Sequence, residues 1–271
     1  MPEMLAGQRQ HLIAEEIRRR GAMRVSELTE LLGVSDMTIR RDLDVLAGSG
    51  LIEKVHGGAT ARRALSTDEP GFEPKSRRQF GEKEAIAEAA SRLVEPGQAI
   101  ALSAGTTTWR LAHCLADVPD LTVVTNSMQV ANVLHRQARP DLTVVLIGGV
   151  RTPSDALVGP IAVTALRSLH VDTLFLGAHG VDLRAGLTTP NLVESETNRA
   201  LVSCARRTCV LVDSTKFGVV GLSSFLDLAE VDVLITDSEL SAHTRTAFSE
   251  AVTDLVVAGR GQRRIPREET A

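Results

Sequence analysis

The sequence predicts an α/β protein in two parts: a small, mostly helical domain over residues 1–60 and an open, mainly parallel α/β sheet domain over residues 79–258. Three observations predict it. Seven short, mostly continuous apolar runs lie at 99–102, 121–124, 142–147, 171–176, 209–212, 231–235 and 255–257, and buried parallel strands have that composition. Helical stretches separate many of these runs, as crossover connections require. The first sixty residues read instead as short helices broken by glycines.

The N-terminal elements follow in order. Residues 8–20 place Leu12, Ile13 and Ile17 on one helical face, and Gly21 stops that helix. Ser26 is the expected N-cap of a second helix with Leu28, Leu31 and Leu32 inward. Gly33 breaks it, and Ser35 caps a third helix that runs to about residue 47. In "LIEKVHGGAT", Ile52, Lys54 and His56 alternate with Leu51, Glu53 and Val55, a short hairpin strand closed by Gly57-Gly58. Residues 62–74 have no apolar period and two prolines, so a linker is assigned to 61–78. A helix over 79–94 opens the second domain, and the charged tail 259–271 is expected to fray.

The third helix carries the first functional signal. Ile39, Leu43 and Leu46 form its buried stripe, leaving Thr38, Arg40, Arg41 and Asp44 on the flanks or opposite. Helix, tight turn at Gly33 and helix make a helix-turn-helix, whose second helix enters the DNA major groove with its N-terminal residues at base edges. Arginine suits that place because its fork meets guanine O6 and N7, or a phosphate, with two hydrogen bonds at once. Alone, two arginines on a helix are more often a solvated face. The cap at Ser35 and the following hairpin decide otherwise: together they match a winged helix-turn-helix, with Lys54 and His56 on the wing within reach of backbone phosphate. Residues 1–63 hold ten Lys/Arg against nine Asp/Glu, so the basic surface is a local patch and two copies of the domain are expected to share the binding.

Composition removes other classes. The chain of 271 residues is 43% hydrophobic and 24% charged, with a net charge of −4, values of an ordinary globular protein and not of one that coats nucleic acid nonspecifically. Aromatic content is 3%, with no tyrosine, too few for the stacking platforms of single-strand binders. Cys114, Cys204 and Cys209 form no CxxC pair, and His11, His113, His135, His170 and His243 have no ligand spacing, so no metal and no cofactor is expected. The first twenty residues carry charges where a signal peptide needs an apolar core, and no apolar run approaches the roughly 18 residues of a membrane span. A soluble cytoplasmic protein with reduced thiols is expected.

In the second domain, polar and glycine-rich junctions follow the strands. "ALSAGTTTWRLAHCL" ends a strand at Ser103 and enters a helix through Gly105, Thr106, Thr107 and Thr108, where free N–H groups and hydroxyls suit an anion such as phosphate. Asn126 and Ser127, then Gly148, Gly149 and Arg151, then the segment 177–180 follow other strands. Ligands of open α/β sheets bind outside the carboxyl ends of the strands. The segment lacks a G-x-G-x-x-G dinucleotide fingerprint. Glu194 stands near a helix start, where dipole complementation alone explains it, and Lys216 in "VDSTKFG" follows a strand, where phosphate or hydroxyl contact is favoured over a solvated loop lysine.

Both halves resemble one family. "LLGVSDMTIRRDLDVLAGSGLIEKVHGGA" is similar to the N-terminal winged helix of the DeoR family of bacterial transcriptional regulators, and "SAGTTT", "VVTNS", "LIGGVR", "VGP", "DTLFLGAHGVD", "GLTTPN" and "DSTKFG" resemble its C-terminal sensor domain. The resemblance implies a regulator, in the usual case a repressor, of a carbohydrate operon. It implies operator contacts from Ser35, Asp36, Met37, Thr38, Arg40, Arg41, Lys54 and His56, with Asp36 and Met37 tuning operator choice. It implies a fold similar to ribose-5-phosphate isomerase and a phosphorylated sugar effector held by Ser103, Gly105, Thr106, Thr107, Thr108, Asn126, Ser127, Gly148, Gly149, Arg151, Glu194 and Lys216. Ser103 stands where many members have aspartate, replacing a charged acceptor with a neutral donor and acceptor. A homodimer or homotetramer without membrane contact is expected.

The competing reading is a sugar-phosphate isomerase with a DNA-binding extension, with Glu194 or Glu196 as the base. The isomerases that the domain resembles carry acids directly after their Gly-Ala turn. Here the turn reads Gly177-Ala178-His179-Gly180 and the first acid is Asp182, so the regulator is preferred and no catalytic residue is assigned.

Overall fold

The computed structural model describes residues 5–48, 51–61, 67 and 71–259. The expected tail therefore lies outside the described residues beyond Gly259, as does most of the segment 62–70. The chain divides into two compact units, Met1–Ala64 and Leu65–Ala271.

The first unit holds α1 (Ala6–Arg20), β1 (Ala22–Arg24), α2 (Val25–Leu32), α3 (Asp36–Gly48), β2 (Ile52–Val55) and β3 (Gly58–Ala61). The three strands form an antiparallel sheet in the order β1-β3-β2. Ile13, Ile17, Met23, Leu28, Ile39, Leu43, Leu46 and Ile52 fill one small core. Gly33 ends α2 in the left-handed conformation at φ 65, which costs other residues more, and this turn sets α3 against α2. Asp42 is the polar residue of α3 that faces inward. It is 2% exposed and accepts hydrogen bonds from Arg9 Nε at 2.6 Å and Gln10 Nε2 at 2.9 Å, which pins α3 to α1.

Four local expectations change. Leu12 and Leu31 are 37% and 48% exposed; Ala14 takes the inward place on α1. The N-cap of α2 is Arg24, not Ser26: its backbone N–H donates to the Glu27 carboxylate at 2.6 Å. Strand β1 occupies three of the four residues between the first two helices. In β2 only Ile52 is buried, while Glu53, Lys54 and Val55 all face solvent, because the small core reaches only the first residue of the strand.

The second unit begins with α4 (Phe72–Ser76), a short helix inside the expected linker. There follow α5 (Phe80–Ser91), β4 (Ala99–Leu102), α6 (Thr106–Cys114), β5 (Leu121–Thr125), α7 (Met128–Arg136), β6 (Leu142–Leu146), β7 (Val150–Arg151), β8 (Leu157–Val158), α8 (Pro160–Leu166), β9 (Val171–Gly177), β10 (Gly180–Asp182), β11 (Gly186–Thr189), α9 (Leu192–Ser203), β12 (Ala205–Leu211), β13 (Ser223–Leu226), β14 (Val233–Asp237), α10 (Ala242–Ser249) and β15 (Leu255–Ala258). Seven strands make one parallel sheet in the order β15-β14-β12-β9-β4-β5-β6. They are the seven apolar runs of the sequence. Alternate side chains feed two cores, one per face. Ile100, Leu102 and Phe175 pack with Ile86, Leu111 and Val130; Ala101, Leu174 and Leu176 pack with Ala162, Leu201 and Phe248. A small antiparallel sheet, β10-β11-β13, and the β7-β8 hairpin complete the unit.

Ile39 is fully buried between the helices of the first unit. Ile39→Ala should cost about 2–5 kcal/mol, read as a lower denaturant midpoint with unchanged slope for the transition of that unit.

Candidate functional site

The first unit presents a continuous polar surface on α3 and the wing. Ser35 caps α3 as expected: its Oγ accepts from the Thr38 N–H at 3.3 Å and lies 2.9 Å from the Thr38 hydroxyl. Beyond the cap, Asp36, Met37, Arg40 and Arg41 are exposed and Thr38 is half-buried. Met37, 81% exposed, is the most open large apolar side chain among the described residues. Arg40 Nε donates to Asp36 Oδ2 at 3.0 Å, one turn back, while Arg41 makes no hydrogen bond or ion pair among the described residues. On the wing, Lys54 pairs with Asp44 of α3, which joins β2 to α3. His56 is exposed at the turn between β2 and β3.

The second unit gathers its polar junctions where the sheet topology dictates. β4 and β9 are neighbours, but from β4 the chain proceeds to β5 and β6, and from β9 to β12, β14 and β15, on the opposite side. That is the switch point at which open α/β sheets bind ligands. At this point Ser103 Oγ accepts the Gly177 N–H at 3.0 Å, closing the end of β4 onto the end of β9.

The structure divides the expected effector residues into two groups. Ser103, Thr108, Asn126 and Ser127 are at most 1% exposed, and their polar atoms serve the protein. Thr108 Oγ1 donates to the Ser103 carbonyl at 2.7 Å. Asn126 Oδ1 accepts from the Ala104 N–H at 2.7 Å, and its Nδ2 donates to the Leu157 carbonyl at 3.3 Å. Ser127 caps α7 by accepting from the Val130 N–H. In this structure these four side chains shape the edge from beneath, bonded to protein groups. Gly105, Thr106 and Thr107 form its surface. Gly105 is the N-cap of α6 and offers no side chain to the helix, so the first-turn N–H groups keep the unmet donors inherent to a helix start. The hydroxyls of Thr106 and Thr107 make no hydrogen bond among the described residues, although the residues are only 9% and 6% exposed.

The remaining residues stand on adjacent junctions. Gly149, at φ +127, faces Val158 so closely that a Cβ would lie 2.6 Å from its carbonyl oxygen, so Gly148 and Gly149 fold the β6 end tightly against β8. Arg151 turns to Asp155 in the same hairpin, Nε to Oδ1 at 2.7 Å, and stays 61% exposed. Glu194 is half-buried in the first turn of α9, which Asn191 caps by accepting from the Val193 and Glu194 N–H groups. Lys216 is half-buried in the 3-10 turn Ser214–Lys216 that leaves β12.

Lys83 on α5 joins this edge and went unassigned in the sequence. It is 4% exposed, and its Nζ donates to the carbonyls of Lys75 and Arg78, both at 2.7 Å. Burial pushes its ammonium down from 10.5 to about 8, against the upward pull of Asp213. The signal was present: Lys83 is in helical register with the buried Ile86, Ala87 and Ala90, the place of an apolar residue. Asp182, the first acid after the Gly-Ala turn, accepts the Arg184 and Ala185 N–H groups in the β10–β11 turn. Those bonds hold its carboxyl below the usual range, the wrong direction for a general base at neutral pH. Among the described residues no three His, Cys, Asp or Glu side chains are grouped to hold a metal, and no helix is long and apolar enough to cross a membrane.

Residues 9–64 match the DeoR-like helix-turn-helix domain and residues 78–238 the DeoR C terminal sensor domain. Curated relatives align along nearly the whole chain. The HTH-type transcriptional regulator GolR of Listeria innocua is 35% identical over 92% of this chain and 97% of its own. The HTH-type transcriptional regulator GlpR of Haloferax volcanii is 34% identical over 92% and 96%, and the lactose phosphotransferase system repressor of Streptococcus mutans 35% over 84% and 90%. Among solved structures, ribose 5 phosphate isomerase A from Neisseria gonorrhoeae aligns with a TM-score of 0.37 and 17% identity over 52% of this chain and 54% of that one.

Asp155 accepts from Gln129 and Arg151, and those bonds hold its carboxyl below the ordinary 3.8. A carboxyl with a depressed folded value stabilises fully above its unfolded value, and the contribution disappears as pH falls through the folded value. The unfolding temperature of Asp155→Asn should therefore lie below wild type at pH 7, and the gap should close as pH falls below the ordinary 3.8 and through the depressed folded value. A Thr108→Val variant should lose about 1–3 kcal/mol at all pH values, because the Ser103 carbonyl loses its buried donor.

Proposed function

The chain belongs to the DeoR family of DNA-binding transcriptional regulators, and from that premise we propose that it is a repressor of a carbohydrate operon whose operator affinity is set by a phosphorylated sugar bound at the carboxyl edge of the sheet. The observation that carries the effector half is the start of α6. First-turn N–H groups and the Thr106 and Thr107 hydroxyls have no partner among the described residues at the switch point between β4 and β9. A phosphate group supplies the acceptors that such a cluster needs. Lys216 and Glu194, on the junctions either side of β12, are the candidates for the sugar's phosphate or hydroxyl groups. The named relatives support the operon class, since one is a repressor of a lactose phosphotransferase system.

The DNA half rests on α3. Its exposed N-terminal residues enter the major groove, Arg40 and Arg41 meet guanine or phosphate, Met37 offers an apolar contact to a thymine methyl, and Lys54 and His56 reach the backbone from the wing. Two such units in a dimer or tetramer would read half-sites about 34 Å apart or a multiple of that. The effector acts by binding the two arrangements of the oligomer unequally. The protein works in the cytoplasm, beside the chromosome, and as a regulator rather than an enzyme.

The test is binding to the promoter region beside the protein's own gene at fixed salt, with and without a panel of phosphorylated sugars and the same sugars unphosphorylated. One sugar phosphate should shift operator affinity tenfold or more while its free sugar does not. Conversion of a sugar phosphate without any shift would establish the isomerase reading instead. Arg40→Ala should weaken operator binding by about 1–3 kcal/mol if Arg40 reads a base, and equal affinity at matched salt would refute the placement of α3.

A further inference from the structure

We propose that Asp42 is a positioning residue for DNA recognition: a buried carboxylate, held from α1 by Arg9 and Gln10, that sets the rotation of α3 and thereby where Arg40 and Arg41 meet the bases. The inference rests on the reading of α3 as the helix that enters the groove, and adds to it a residue that never touches DNA.

Arg40, Arg41 and Asp42 are three consecutive charged residues of α3, and they point apart. Arg40 and Arg41 are exposed, while Asp42 falls among Ile39, Leu43 and Leu46 on the buried stripe and is 2% exposed. A stripe of this kind calls for an apolar residue, and a carboxylate there is costly unless its oxygens are met. Both are met, by two consecutive residues of α1. Arg9 Nε donates to Oδ2 at 2.6 Å, and Oδ1 accepts from Gln10 Nε2 at 2.9 Å and from Arg9 Nη2 at 3.4 Å. The Arg9 side chain is itself only 13% exposed, so little water competes for these bonds.

Stability alone does not account for the arrangement. Apolar residues of like volume in place of a buried ion pair commonly leave a fold as stable or more so. What the pair adds is direction. Ile39, Leu43 and Leu46 share one core with Ile13, Ile17 and Leu28, and the burial of aliphatic surface rewards area, not angle. Short charged hydrogen bonds are angular, and donors from two adjacent α1 residues hold the carboxylate from different sides. Turning α3 by about 20° swings a side-chain atom roughly 6 Å from its axis through about 2 Å. That displacement breaks an arginine fork on guanine. The other side-chain ties described for α3 do not prevent the turn. Arg40–Asp36 lies within the helix, and Lys54–Asp44 is exposed and therefore screened by salt. Asp42 stands one residue from Arg41 and two from Arg40, as the shielded stop against rotation behind both.

The test sets selectivity against stability. The probes are the duplex that full-length wild-type protein selects from a random pool and a scrambled duplex of the same length, at one salt concentration. The variant is Arg9→Met with Asp42→Leu, which removes one positive and one negative charge together and leaves the exposed arginines in place. Its first unit should keep the wild-type denaturant midpoint or exceed it, yet the ratio of selected to scrambled affinity should fall about tenfold or more. Arg9→Lys keeps the charge without the planar fork and should lower the same ratio; if the double variant does not fold, Arg9→Lys decides. An unchanged ratio in the folded variant, even with both affinities lowered together, overturns the proposal. Arg41→Ala separates it from the reading beneath it. If Arg41→Ala weakens binding to the selected duplex and the double variant keeps its ratio, α3 meets DNA and Asp42 only holds the fold. If neither changes binding, or wild type selects no sequence, both readings fall.

Discussion

The α/β unit depends on one discontinuity, the pairing of β4 with β9. Two adjacent parallel strands whose onward connections run in opposite directions cannot share a face: right-handed crossovers send α6 to one side and α9 to the other. Leu111 of α6 and Leu201 of α9 accordingly sit in different cores. Open α/β sheets form their ligand crevice between loops departing in this way, and here hydrogen bonds tie the strand ends together beneath them. The Gly177 N–H on Ser103 Oγ, the Ala104 N–H on Asn126 and the Thr108 hydroxyl on the Ser103 carbonyl are those bonds. A neutral serine at this point is therefore a structural part as well as a departure from the aspartate common in the family.

Much of this was legible in the residues. All seven strands of the parallel sheet announced themselves as apolar runs, because a strand covered on both faces has no place for polar side chains. The cap at Ser35 and the break at Gly33 were legible because each residue type has a local physical reason to be there. The small pieces were not. β7 and β8 have two residues each, and β1 has three, too short for any period to show. Leu31 satisfied the helical spacing and still faces solvent, since spacing defines a stripe but not its width. The threonines at the start of α6 illustrate the limit at the site. Three identical residues in a row carry no signal of which hydroxyl turns inward; only the carbonyl of Ser103, set by the turn of the chain, selects Thr108.

Within the expected linker, Phe72–Ser76 carries more order than its composition suggests. Phe72 is 7% exposed, and two prolines with no apolar period conceal that single anchoring ring. Its neighbour Trp109 contacts His113 as well, and Arg110 lies over both Phe80 and Trp109. Aromatic residues are scarce in this chain, and several of them gather here, along the route from the start of α6 to the start of the sensor unit. Edge-on and cation–π contacts of this kind have defined geometry, so a small change at α6 has a rigid neighbour to act upon.

On the α3 and wing surface that we propose meets DNA, the ion pairs have a consequence for how the protein would find its operator. Arg40 is held by Asp36 and Lys54 by Asp44, and the first unit is close to neutral as a whole. A random stretch of duplex offers only phosphate charge, and must compete with carboxylates already in place. The matching base sequence offers hydrogen bonds that Asp36 does not. Self-neutralisation thus weakens the pull of the whole chromosome more than the pull of the operator, so that selectivity comes from reduced attraction to wrong sites as well as from contacts at the right one.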